Sequence, residues 1–152
     1  MVSKDVWGRT TWRLFHHMVN GLKEERIDLI QPALTIIRNI CRSLPCPDCS
    51  EHATLLLNRL NLSSIKTKRD LVQCIHEFHN KVNTRIQKRE LTLDEHDLLY
   101  KYVNTEGAFI EWRRIMQTRS PGNRLLLYAI TKQCLIREVT QFFNRHMYAF
   151  KP

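Results

Sequence analysis

Glycine and proline are scarce in this chain, with 4 Gly and 5 Pro in 152 residues. So few breakers leave room for long helices, and no repeat or low-complexity segment interrupts them. Strand-type alternation of polar and apolar residues is missing throughout, which argues against a sheet protein. No apolar run approaches the roughly 20 residues of a membrane span. The opening Met1-Val2-Ser3-Lys4-Asp5 has no apolar h-region. The expectation is therefore a chain kept in a reducing compartment, where disulfides are catalytic or transient. Five cysteines are an odd count, so a fully paired framework is excluded and at least one thiol stays unpaired.

What is present describes a helical globule. Hydrophobic residues make up 43% and charged residues 26% of the chain. A chain of this length forms one domain and buries roughly two thirds of its unfolded surface. The net charge of +9 invites a nucleic-acid reading. The basic residues are spread from Arg38 to Arg145 rather than clustered, which fits solvated helix faces and attraction to an anionic cofactor or acidic partner, with no nucleic acid required.

Apolar spacing places helices at about 5–21, 28–44, 47–60 and 68–88. Pro45 stops the second, and Thr67 to Asp70 caps the fourth. Thr92-Leu93-Asp94-Glu95 has the form of a capping box and opens a short fifth helix to about Tyr102. Asn104-Thr105-Glu106-Gly107 suggests a hinge, followed by helices at about 108–117 and, after Ser120-Pro121-Gly122, at about 123–147. The expected fold is all-α: a four-helix bundle over residues 1–103 with its short fifth helix, and a C-terminal helical appendage over 104–152 packed on the same domain.

The chemistry concentrates at Cys46-Pro47-Asp48-Cys49. A C-x-x-C pair at a helix start has unpaired amides and a positive dipole end beside it, which favour thiolate on Cys46. Pro47 suits the first helical turn, and Cys49, one turn further in, is more shielded. A second constellation, Cys74, His76, His79, Asn80, Val82 and Asn83, falls within the fourth helix. Its polar groups either serve a bound ligand or are ordinary: His76 and the asparagines at the surface, His79 hydrogen-bonded in the core. The residues alone favour the ordinary reading. A rival function uses Cys46, Cys49 and two of His52, His76 and His79 to close a structural zinc site in a nucleic-acid-binding module. Such sites usually support small, loop-rich folds, whereas this chain has core enough to fold without metal.

Three motifs together resemble the Erv/ALR family of FAD-dependent sulfhydryl oxidases, across about residues 4–103. Trp7-Gly8-Arg9-Thr10-Thr11-Trp12-Arg13-Leu14-Phe15-His16 is similar to the family's G-R-x-x-W-x-x-x-H helix. Leu44-Pro45-Cys46-Pro47-Asp48-Cys49-Ser50-Glu51-His52 resembles its P-C-x-x-C-x-x-H active site, and His79-Asn80-Lys81-Val82-Asn83 its H-N-x-V-N signature. The combination is most similar to short forms encoded by large cytoplasmic DNA viruses. The resemblance implies a homodimeric bundle holding FAD, a late viral protein of the host cytoplasm and its viral factories, and a place in the virion. It implies that Cys46 exchanges with substrate dithiols, that Cys49 faces the flavin, and that oxygen is the final acceptor, giving hydrogen peroxide. Gly8, Arg9, Thr10, Trp12, His16, His52, His79, Asn80, Val82, Asn83, Lys88 and Tyr100 are then cofactor-binding, with no metal. Cys74 stands where the family usually has tryptophan, and Gln87 where it usually has glycine. These 152 residues hold no second C-x-x-C. Substrate protein thiols then reach Cys46 directly, or through a thioredoxin-like or small dithiol relay protein. Cys41 and Cys134 are expected as buried thiols packed as small apolar groups.

Overall fold

Ser3 starts the first helix by accepting a hydrogen bond from Val6 N, and Asp5 in the first turn suits the positive dipole end. The computed structural model describes residues 3–118 and 126–152. Its helices are α1 (Lys4–Gly21), α2 (Ile30–Arg42, entered through a 3-10 turn at Ile27–Leu29), α3 (Pro47–Arg59), α4 (Lys68–Arg85), α5 (Leu93–Leu99), α6 (Thr105–Met116) and α7 (Leu126–His146). Among the described residues there is no strand beyond an isolated bridge between Leu22 and Phe150. None of these helices is long and apolar enough to cross a membrane. The expected Ser120-Pro121-Gly122 break lies outside the described residues.

Leu14, Phe15 and Met18 of α1 meet Leu34, Ile37 and Ile40 of α2 and Leu71, Ile75 and Phe78 of α4, all 2% exposed or less. Each such side chain contributes roughly 1.5–3 kcal/mol by leaving water. Leu57 closes the layer from α3. α2 ends at Arg42, two residues before the expected 44, because Pro45 holds Leu44 away from the helical region.

α4 also ends early, at Arg85 rather than Lys88. Lys88 N donates to Asn83 O at 2.8 Å and Gln87 N to Thr84 O at 3.2 Å, the paired bonds of a Schellman cap. That cap needs a left-handed residue, and Gln87 supplies it at φ 60°. A side chain with a Cβ is strained there, which accounts for glycine being usual at this position. Gln87→Gly is expected to raise stability by about 1 kcal/mol, seen as a higher urea midpoint at unchanged slope. An unchanged or lower midpoint would contradict the strain.

The expected hinge at Asn104–Gly107 is instead the cap and first turn of α6. Asn104 Oδ1 accepts from Gly107 N at 2.8 Å, while Asn104 N donates to His17 Nδ1 and Thr105 Oγ1 donates to His17 O, both at 2.9 Å. Two bonds to α1 fix the segment that was expected to swing. α6 lies close against α1 because Gly21 has no side chain: a Cβ there would collide with Thr105 Oγ1. Trp112 and Phe109 fill the space beneath, and Phe109 meets Phe143 of α7 at 4.7 Å between ring centroids. Asn39 of α2 donates to Glu138 of α7 at 2.6 Å. The chain returns to the end of α1, where Lys151 N donates to Gly21 O at 2.6 Å.

Candidate active site

Cys46 is the N-cap of α3, in extended conformation at φ −112° and ψ 113°, with Pro47 in the first turn. Its sulfur accepts from Cys49 N at 3.3 Å, so a thiol does the work that serine or aspartate does at other caps. Ser50 Oγ accepts from Leu44 N at 2.8 Å and pins the strap before the pair. Both cysteines are half-buried. Burial pushes the Cys49 thiol up from its ordinary value, the adjacent Cys46 sulfur adds to this, and Lys4 opposes it. The two sulfurs are thus unequal: one is served by the helix end, the other shielded.

Both face a cavity of about 1460 Å³, larger than the ~300–1,000 Å³ of common small-molecule sites. One wall is the N-terminal half of α1, with Gly8, Arg9, Thr10 and Trp12; another is α3, with Cys49 and His52; a third is α4, with His79, Val82 and Asn83. Lys88 and Tyr100 complete it, and the Schellman cap after α4 sets the position of Lys88. Arg85 reaches across to hydrogen-bond His52 Nε2. A Cβ at Gly8 would meet no protein atom within 4 Å, so the missing side chain widens the space directly.

The indole of Trp12 and the ring of His79 stack at 3.9 Å between centroids, 7° from parallel. Behind them, His16 Nε2 lies 2.7 Å from His79 Nδ1, and Tyr100 stacks on His16 at 4.7 Å. His16 Nδ1 is buried without a partner. A buried orphaned N–H is rarer and costlier than an orphaned lone pair, which assigns the His16 proton to Nε2 as donor. His79 then accepts at Nδ1 and carries its own proton on Nε2. Burial, followed by the His76 charge and Lys88, pulls His79 down to about 4; burial, then His79, pulls His16 well below its ordinary value. Both imidazoles are neutral near pH 7.

All but two of the residues expected to form the site line this cavity. His16 lies behind the wall, 2% exposed, and acts on it through His79. Asn80 turns away: its amide donates to Leu91 O at 2.7 Å and its oxygen accepts from Leu91 N at 2.9 Å, clamping the strap between α4 and α5. Lys4, Arg13 and Arg85 line the cavity in addition to the expected residues. Lys4 was within reach, since Lys4, Gly8 and Trp12 follow one another at i, i+4 on one helix face. Among the described residues no three His, Cys, Asp or Glu side chains are placed to share a metal ion. The zinc reading therefore finds no support. Cys41 is buried as expected, whereas Cys134 is exposed on α7. Cys74 is buried too, and burial pushes its thiol up to about 11.

The model of the Erv1/Alr family matches residues 9–102, which carry both cysteines and every other residue of the wall except Lys4 to Gly8 and Glu111. The chain belongs to the Erv1/Alr family. This Erv1/Alr chain is 30% identical over 101 residues to the FAD-linked sulfhydryl oxidase of African swine fever virus, a match covering 62% of the chain and 80% of that relative. It is 29% identical over 92 residues to a candidate FAD-linked sulfhydryl oxidase of Invertebrate iridescent virus 3, covering 59% of the chain and 62% of that relative's length. No solved structure matches it significantly.

Proposed function

We propose that this protein is an FAD-linked sulfhydryl oxidase that forms disulfide bonds in substrate proteins. The observation that carries the reading is the Cys46–Cys49 pair opening on the same cavity as the Trp12–His79 stack. The wall suits FAD: flat aromatic faces at Trp12, His79 and Tyr100 for its rings, Gly8 for close approach, and Arg9, Arg85 and Lys88 to balance a diphosphate. His79, with its proton on Nε2, offers a donor from that wall.

In its oxidised form the pair is a Cys46–Cys49 disulfide. A substrate thiolate attacks the Cys46 sulfur and Cys49 leaves as a thiolate, held by Lys4 beside it. The second substrate thiol then displaces Cys46, which leaves with its charge on the α3 cap; the substrate gains a disulfide and the pair becomes a dithiol. Bound FAD would supply the two-electron acceptor for that dithiol and the route to dioxygen, with hydrogen peroxide as product. Trp12 by stacking and His16 by a hydrogen bond hold His79 on the cavity wall, with Tyr100 stacked on His16, so that His79 would face FAD when it is bound.

The reading extends to partners. Substrate protein thiols reach Cys46 directly, or a thioredoxin-like or small dithiol relay protein presents its thiols there. Family membership supports a homodimer. Purified protein is expected to be yellow, zinc-free and to consume oxygen on addition of dithiothreitol. Colourless protein holding one zinc per chain would sink the proposal.

A further inference from the structure

A second cavity, of about 270 Å³, opens beside the end of α1. Four cationic side chains from three separate stretches stand on its wall: Lys68 and Arg69 at the start of α4, Lys101 after α5, and Lys151 near the C-terminus. Two carboxylates accompany them. Asp97 is already engaged, accepting from both Arg69 Nη atoms at 3.1 Å and lying 3.1 Å from His96 Nδ1. Glu24 is left to balance three lysines. It lies 3.8 Å from Lys68 Nζ with its own side chain 77% exposed, a weak ion pair.

Lys68 is the telling residue. It is 8% exposed, and lysine is rarely so buried without a firm partner. Its ammonium is pushed below the ordinary value by burial first and by Lys151 second. Lys68 and Lys151 line the same small cavity, and the backbone brings them there. Lys151 N is bonded to Gly21 O, Phe150 bridges Leu22, and Lys68 is fixed behind the Thr67 capping box. The C-terminal segment delivers a charge to a place that electrostatics alone would empty.

We propose that this cavity binds a phosphate dianion, free or as the terminal group of a larger molecule. Three ammonium groups against one free carboxylate leave two positive charges, the charge of that dianion. The volume lies below the ~300–1,000 Å³ of common small-molecule pockets, so it takes a small group and not a dinucleotide. Lysines converging from separate stretches are point donors for phosphate oxygens. The site is separate from the cysteine-lined cavity, with Tyr100 standing between the two and lining both. It does not depend on the oxidase reading.

The test is calorimetric titration of the full chain as purified, in phosphate-free buffer near pH 7.5, with inorganic phosphate and separately with phosphoserine. One site per chain is expected. Lys68→Met and Lys151→Met should each weaken it about ten- to hundredfold, while Lys66→Met, at an exposed position outside the cavity, should leave it unchanged. Tighter binding of phosphoserine assigns the site to a phosphorylated molecule, and tighter binding of inorganic phosphate to the free ion. Lys151→Met lies in an exposed position, so it remains informative if Lys68→Met fails to fold. No binding of either probe at millimolar concentration, equal binding in both cavity variants, or displacement by excess FAD would overturn the proposal.

Discussion

Cys49→Ser is expected to lower dithiothreitol-driven peroxide release to the uncatalysed background while FAD stays bound. The substitution removes the shielded sulfur yet leaves the Trp12–His79 stack and the cationic side chains of the cavity in place. Cys46→Ser should be as inactive, for a different reason. A hydroxyl at the α3 cap still accepts from residue 49 N, so the helix start survives, but no sulfur remains to exchange with substrate. The pair can be told apart by absorbance. If the proposed roles hold, the lone Cys49 sulfur of Cys46→Ser would face the bound flavin across the cavity and give a broad long-wavelength band; Cys49→Ser should not. A band in Cys49→Ser instead would reverse the two roles, and peroxide release retained in Cys49→Ser would remove that residue from the relay.

The site was legible where chemistry and helix period coincide. Cys46 and Cys49 were readable because a thiol pair behind Leu-Pro and ahead of an apolar helix has few structural purposes. Trp12, His79, Val82 and Asn83 came from the family resemblance, since the residues alone favoured ordinary roles for His79 and the asparagines, and all four line the cavity. Asn80 was misplaced because sequence gives the face of a helix but not what a long strap beyond it will present. Leu91 lies eleven residues away, and only the folded backbone brings its two polar groups to Asn80. The Asn104–Gly107 segment failed for a related reason: polar residues with a glycine suit a hinge and an N-cap equally, and the bonds to His17 that decide between them are 87 and 88 residues distant in the chain. The end of α4 was overrun because glutamine itself is a good helix former, and only the glycine usual at its position in the family hints at the left-handed conformation Gln87 adopts. The phosphate pocket is the extreme case. Lys68, Lys101 and Lys151 are unremarkable as sequence, and their convergence exists only once α1, α4 and the C-terminal segment meet.

A steep loss of stability in acid follows from the imidazoles at and around the cavity wall. His16, His76 and His79 all bind protons more weakly in the fold than their ordinary value of 6.5, with burial the leading cause for each. Below about pH 6.5 the unfolded chain therefore takes up protons that the folded chain refuses, and stability falls as pH falls. His79, at about 4 in the fold, costs about 1.4 kcal/mol for each pH unit in that window, or about 3 kcal/mol across it. His16 acts in the same direction, and so does His76. The charges of His16 and His79 would lie close together, across a 2.7 Å contact. With FAD in fixed excess, the melting temperature should be highest near neutrality and drop steeply from pH 6.5 to 5, with flavin released over the same interval. His16→Gln keeps a donor toward His79 Nδ1 but cannot become charged, so it should flatten the drop by one histidine's share. A melting temperature that stays level from pH 6.5 to 5, or a drop equally steep in His16→Gln, would show that these imidazoles are not held neutral by the fold.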